Sequence, residues 1–243
     1  MNLIVISEIS IYSALESYCK TASINIHKII AIDTSRVEYK IDKIKSFLNE
    51  EISIIFQSKN AIDYSSDIHE KIMDIKNKRI YCMGKYSAEK VKKIFSVKSN
   101  YPHKDYSSEK MLLLIFRDLE INSKVLIVKG KGGRTYLQEK IKHGGYETAV
   151  ADVYERKPTR MTSLEDNMIK NMNNYFIVSS KIALENLVLH LNLIEGDYKS
   201  IIIVPNERLL AGVSMGKIDN SIIINNNLEA QEYINIIREY NEK

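Results

Sequence analysis

"VLIVKGKGGRTYLQEKIKHGGYETAVADVYERKP", residues 125–158, carries the pattern that decides the fold. Val125 to Val128 is a short, continuously apolar run, the signature of a strand covered on both faces. Gly130, Gly132 and Gly133 then interrupt it. Leu137 and Ile141 follow at i and i+4, Gly144-Gly145 suits a helix stop, and a second β-rich run occupies 148–154. Strand, loop, helix and strand in this order are a unit of a parallel α/β sheet. In a chain with only nine glycines, their concentration beside Lys129, Lys131 and Arg134 needs a reason. Free backbone N–H groups at a helix start favour an anion. A phosphate loop, a carboxylate-holding rim and a plain tight turn with surface lysines all fit that much. The Walker spacing requires Gly-Lys-Ser/Thr after four spacers, and the dinucleotide fingerprint requires a third glycine two residues after the pair. Neither is met, so the phosphate loop falls away.

The same alternation runs through the whole chain. Strands are expected at 2–6, 27–32, 51–56, 79–83, 124–128, 148–154, 174–179, 200–204 and 221–225. Helical patterns are expected at 10–20, 60–76, 86–95, 107–120, 134–143, 163–172, 181–193, 206–215 and 228–240. Three pairs of segments match at a spacing of about 120 residues, the mark of an internal duplication. "IIFQSKNAI" (54–62) matches "FIVSSKIAL" (176–184), pairing Ser58 with Ser180. "RIYCMGKYSA" (79–88) matches "SIIIVPNERL" (200–209), and "LIVISEISIYSAL" (3–15) matches "VLIVKGKGGRTYL" (125–137). Two cuts satisfy this repeat. The chain divides simply near residue 121, or the first segment joins the C-terminal half; pattern alone leaves both open. Both place a crossover near Asp33 to Arg36 and a return between Tyr154 and Arg160.

With 243 residues, the chain is long enough for two cores. A hydrophobic content of 44% with 27% charged residues reads as globular. The net charge of +4 is too mild for the dense basic stripe of a nucleic-acid binder. Cys19 and Cys82 are too few for a disulfide framework and fit a reducing cytosol. No charged-then-apolar leader opens the chain, and no apolar run approaches the ~20 residues of a membrane span. The expected location is therefore cytoplasmic.

Nothing in the chain has metal or nucleophile spacing. His27, His69, His103, His143 and His190 are scattered, neither cysteine has a CxxC partner, and no serine sits in a Gly-x-Ser-x-Gly elbow. Chemistry concentrates instead at the strand-to-helix junctions, where open α/β sheets bind ligands. These are Ser58-Lys59, Gly84-Lys85 with Ser87, Lys129 through Gly130, Gly132, Gly133 and Arg134, Ser179-Ser180-Lys181, and Asn206 with Arg208. A helix N-cap explains any single serine or asparagine equally well; the recurrence of hydroxyl, amide and cation points to a ligand with several negative groups. Tyr154, an aromatic hydroxyl at a strand end, is either a packing residue or a weak general acid.

The opening stretch resembles the uroporphyrinogen-III synthase pattern of an apolar strand, Gly-x-Gly-Gly-Arg, a helix, and Val-Tyr-x-Arg. "FQSKNAI" and "VSSKIAL" resemble the two copies of its Phe-Thr-Ser-x-x-Ala-Val segment. "YCMGKYSAEKV" is similar to its Val-Gly-x-x-Thr-Ala segment, and "VPNERLLAGVSMG" to its closing Pro-Ser-x-Arg segment. The resemblance spans roughly residues 50–240. It departs at Ile6-Ser7-Glu8, where many members carry Thr-Arg-Pro, and at Gln57 and Asn206, where a hydroxyl is usual.

The resemblance implies two similar flavodoxin-like parallel-sheet domains joined by a two-stranded β connection, with a cleft between them. It selects residues 1–35 with 158–243 as one domain and 36–157 as the other. It implies a cofactor-free lyase that cyclises hydroxymethylbilane, an octacarboxylate linear tetrapyrrole, to uroporphyrinogen III with loss of water and inversion of ring D. Tyr154 would be catalytic, and the junction residues named above would bind substrate. The expected state is a monomer touching neither membrane nor nucleic acid, with at most a transient contact with hydroxymethylbilane synthase. The reading weighed against it is a non-catalytic two-domain binder or sensor of an anionic ligand. A third, a flavodoxin-like nucleotide-binding protein, conflicts with the missing phosphate fingerprints.

Overall fold

A computed structural model describes residues 1–6, 9–49, 51–103, 106–224 and 230–242, without the side chains of 9–11. Ser7 and Glu8, where the family departure falls, lie outside the described residues, as do Asn225 of an expected strand and the start of the last expected helix. The chain begins β1 (Asn2–Ile6), α1 (Ile9–Thr21), β2 (Asn25–Lys28), β3 (Ile32–Arg36), α2 (Ile41–Phe47) and β4 (Glu51–Phe56). It continues α3 (Lys59–Asp63), α4 (His69–Asp74), β5 (Asn77–Cys82), α5 (Lys85–Phe95), α6 (Ser108–Asp118) and β6 (Lys124–Gly130). Then come α7 (Tyr136–His143), β7 (Glu147–Pro158), β8 (Asn173–Val178), α8 (Lys181–Leu193), β9 (Lys199–Val204), β10 (Asn220–Ile223) and α9 (Ala230–Asn241).

Two compact units result, Met1–Asp33 with Lys157–Lys243, and Thr34–Arg156. The first holds the sheet β10-β9-β8-β1-β2, every pairing parallel. Counted along the chain this is the 2-1-3-4-5 order of flavodoxin-like folds. Its strands are apolar on both faces because helices cover both. Ile4, Ile6, Phe176 and Val178 pack towards Leu184 and Leu187 of α8. Leu3, Val5, Tyr175 and Ile177 pack towards Leu15 of α1 and Ile234 of α9.

The second unit holds β3-β7-β6-β4-β5, with β4, β5, β6 and β7 in parallel register. Ile54, Phe56, Leu126 and Val128 face Ile62, Ile72 and Val91 from α3, α4 and α5. Ile55, Val125 and Ile127 face Ile115 and Leu137 from α6 and α7. Equivalent strands begin at Asn2 and Lys124, Asn25 and Glu147, Glu51 and Asn173, and Asn77 and Lys199, each pair 122 residues apart. They occupy the same sheet order, β2-β1-β8-β9 in one unit and β7-β6-β4-β5 in the other.

Four expected elements differ, each because side chains capture backbone groups or the chain must turn. The 60–76 helix is broken into α3, a 3-10 turn at Ser66–Ile68, and α4. There the Ile62 carbonyl accepts from the Ser65 hydroxyl at 3.1 Å and from His69 Nε2 at 2.9 Å. The 163–172 helix is only a 3-10 turn at Glu165–Asn167. Buried Asn174 takes the Ile169 N–H at 2.8 Å and donates to the Ile169 carbonyl at 3.0 Å, so neither joins a helix ladder. The 206–215 helix is a 3-10 turn at Glu207–Leu209, ended by left-handed Gly212. The 27–32 strand is two strands, β2 beside β1 and β3 beside β7, because the segment lies where the chain leaves one unit for the other.

Candidate active site

Parallel strands bring their carboxyl ends, and the loops that follow, to one edge of each sheet. In the second unit that edge collects Ser58 after β4, Gly84 after β5, the end of β6, and β7 from Tyr154 to Arg156. At its centre stands Tyr154. Its hydroxyl lies 3.0 Å from Ser58 Oγ, and its ring stacks on Tyr64 with centroids 5.7 Å apart. The Arg156 guanidinium sits 5.8 Å from the centroid of the same ring.

Gly130 makes this placement possible. A Cβ there would meet Tyr154 Cζ at 2.6 Å and Cε2 at 2.8 Å, so the ring lies in space that only glycine leaves. The tyrosine carbonyl accepts from the Lys131 N–H at 2.7 Å and ties the glycine loop to β7. Gly132 adopts φ +73° with nothing within 4 Å of a Cβ, so its freedom serves the turn rather than packing. Residues 131–135 are exposed.

Ser58 serves two purposes. It is the N-cap of α3, accepting from the Ala61 N–H at 3.0 Å. That bond uses one lone pair and leaves the serine proton free to point at the tyrosine oxygen. Ser180 is its counterpart in the other unit, capping α8 through the Ala183 N–H at 3.3 Å.

The expected cations divide by burial. Arg134 is exposed, its guanidinium 2.8 Å from Glu109 and 4.5 Å from the Tyr136 centroid. An exposed pair of this kind contributes at most about 1 kcal/mol, so a ligand carboxylate can replace Glu109 cheaply. Lys59 rests over the Tyr86 ring at 5.2 Å, and Lys85 lies 4.0 Å from Glu89. Lys129 is not among the solvent-facing cations that the sequence leads one to expect. It is 4% exposed, with Nζ 3.6 Å from Asp152 and 3.5 Å from the Gly133 carbonyl. Alternation along β6 turns it inward. Ser87 is likewise buried, in the first turn of α5. Gly84 opens that helix with the Tyr106 ring 3.3 Å from where its Cβ would be.

In the first unit, Ser179, Ser180 and Lys181 follow β8, and Asn206 and Arg208 follow β9. Lys181 donates to the Ala211 carbonyl at 2.8 Å, Ser179 and Arg208 are exposed, and Asn206 makes no cap bond. These residues share the carboxyl edge of their own sheet.

Sequence reasoning missed Tyr64 and Asp152. Tyr64 donates to the Thr34 carbonyl at 2.6 Å while stacking on Tyr154. No spacing announces it, because both contacts are long-range. Asp152 had a local signal, being two residues before Tyr154 in a strand opposite Lys129. Among the described residues no group of three His, Cys, Asp or Glu could hold a metal ion. No helix among them is long and apolar enough to cross a membrane.

Comparison with known proteins gives one consistent result. The family profile described as uroporphyrinogen-III synthase HemD matches residues 19–204. Uroporphyrinogen-III synthetase from Helicobacter pylori superposes with a TM-score of 0.59 at 16% identity, covering 98% of this chain and 100% of that one. A mutant uroporphyrinogen III synthase from the extremely thermophilic bacterium Thermus thermophilus gives a TM-score of 0.57 at 9% identity, covering 100% of both chains. At such identities the superpositions speak for the fold, while the profile match speaks for the family. No curated protein matches the sequence.

Proposed function

The chain belongs to the uroporphyrinogen-III synthase family, and from that premise we propose that Tyr154 supplies the proton for its reaction. The family is one of cyclising lyases in porphyrin biosynthesis, and the reaction closes hydroxymethylbilane to uroporphyrinogen III with loss of water. The observation that carries the proposal is the Tyr154 hydroxyl held 3.0 Å from Ser58, over Gly130, at the carboxyl edge of a parallel sheet.

The chemistry asked of the protein is modest. The terminal pyrrole expels its own hydroxyl once that oxygen is protonated, and water departs. Ring closure later releases a proton, so the proton balance is zero. With Ser58 donating to the tyrosine oxygen, the phenolic proton is free for the leaving hydroxyl. Inversion of ring D requires the chain to be held folded during closure, which is a matter of positioning.

The exposed cations and loop N–H groups of the two sheet edges suit the substrate's carboxylates. We assign this role to Lys59, Lys85, Arg134 and the Gly130–Gly133 loop in one unit, and to Ser179, Lys181, Asn206 and Arg208 in the other. Each charge-assisted bond contributes roughly 1.5–3 kcal/mol. The two compact units are read as the family's two domains, and the chain as a monomer in the cytoplasm. Buried free thiols at Cys19 and Cys82 suit a reducing compartment. On the same reading, substrate arrives by transient contact with hydroxymethylbilane synthase.

The test is the product formed from freshly generated hydroxymethylbilane, resolved by chromatography. The expected product is mainly the type III isomer. Type I alone, at the uncatalysed rate, would favour a non-catalytic binder. Tyr154→Phe is expected to lower kcat at least about tenfold with the fold intact; a parent-like rate demotes the tyrosine to packing.

A further inference from the structure

Tyr154 faces Ser58 only because β7 breaks its own alternation. Along β7, Ala151 and Val153 pack into the core on the α3 side of the sheet, while Val150 packs on the α6 side. Regular pleating would turn residue 154 to the α6 side with 150 and 152. Instead Tyr154 joins Val153 in the same cluster, both buried. The register shows the cause. Lys129 pairs with Asp152, but the next residue, Gly130, pairs with Tyr154, so Val153 is the extra residue of a β-bulge. On β6, Leu126 and Val128 lie on the α3 side, and Gly130 shares their parity. The bulge therefore delivers the Tyr154 ring to the face where Gly130 has no side chain.

The last regular pair before the bulge is Lys129 with Asp152, on the opposite face. Nζ lies 3.6 Å from Asp152 Oδ1, and that oxygen is buried without a hydrogen-bond partner. The same ammonium reaches the Gly133 carbonyl at 3.5 Å. A slip of β7 by one residue would separate this pair and leave the buried Lys129 ammonium, whose side chain is 5% exposed, without its carboxylate, which is destabilising. It would also return Tyr154 to the wrong face.

We infer that Lys129 is a positioning residue: paired with Asp152 behind the sheet, it holds the bulge that turns Tyr154 towards Ser58. The inference rests on Tyr154 being the proton donor. Lys129 touches no substrate; it acts through the register of two strands and through the glycine loop it anchors at Gly133.

The experiment uses the full chain labelled with 3-fluorotyrosine, the Tyr154 line in the 19F spectrum being identified by its loss in Tyr154→Phe. Lys129→Met and Asp152→Asn are compared with the parent for that line, kcat and KM. Both variants are expected to shift the line and to lower kcat about tenfold or more, as misplacing a reacting group does. KM should stay within about twofold, because no ground-state contact is lost. A raised KM with parent kcat would overturn the inference and return Lys129 to carboxylate binding. An unmoved line with a lowered kcat would also overturn it. A shifted line with parent kcat supports the hold on the bulge but removes Tyr154 from the chemistry, so the two readings fail separately. If Lys129→Met does not fold, Asp152→Asn decides alone.

Discussion

Gly130 and Tyr154 show at the residue scale how one missing side chain places a functional group. The glycine of a Gly-x-Gly-Gly loop is usually credited with backbone freedom, yet Gly130 keeps an ordinary backbone and is needed for space. Gly130→Ala should cost about 1–3 kcal/mol of stability, since Tyr154 is packed between Tyr64 and the strand and cannot retreat without strain. It should lower kcat in parallel, read from chemical melts and from turnover on one preparation. A variant with unchanged stability would show that the ring moves freely. Ser58 marks where sequence reasoning had to stop. A serine before a helix is an N-cap by default, and Ser58 is one; its second partner lies 96 residues further along the chain.

Elements tell a similar story. Continuous apolar runs announced the central strands because helices cover both faces. The helices less well read were those where a polar side chain outcompetes the ladder, as Asn174 does for Ile169 and as Ser65 and His69 do for Ile62. His69 also links that junction to pH. Its Nε2 faces a carbonyl, so this nitrogen carries the proton, and the ring packs edge-on to Phe95 at 4.8 Å. Burial lowers its pKa, partly opposed by the hydrogen bond to the Ile62 carbonyl. The unfolded chain therefore binds this proton more readily than the folded one. The His69 contribution is intact above the ordinary histidine value of about 6.5 and is lost as pH falls below it. Denaturant melts at pH 7 and pH 5 should show a smaller acid-side loss in His69→Gln than in the parent. Equal losses would place the acid sensitivity elsewhere.

For the whole molecule, the consequential fact is where β1 lies. It stands inside its sheet, between β2 and β8, although 166 residues lie between Ile6, where β1 ends, and Asn173, where β8 begins. Thr34–Arg156 contains β4, β5, β6 and all of β7 but Lys157 and Pro158 as one continuous piece, whereas residues 157–243 lack β1 and β2 of their sheet. A fragment of residues 34–156 is expected to melt cooperatively by circular dichroism. A fragment of residues 157–243 should show no cooperative transition until a peptide spanning residues 1–33 is added. Cooperative melting of 157–243 alone would contradict this, and would mean that β8 and β9 need no central neighbour.

The sequence by itself determined the parallel α/β class, the internal repeat, the family pattern and the junctions where function gathers. These are local in origin: hydrophobic period, glycine and capping chemistry act within a few residues. Only the tertiary structure decided that Lys129 turns inward to Asp152, and that Tyr154 leaves the alternation of its strand. Each of these is settled by strand register, and register is a contest between distant segments for one buried face. That is why the opening glycine stretch could name its residues but not say which way they point.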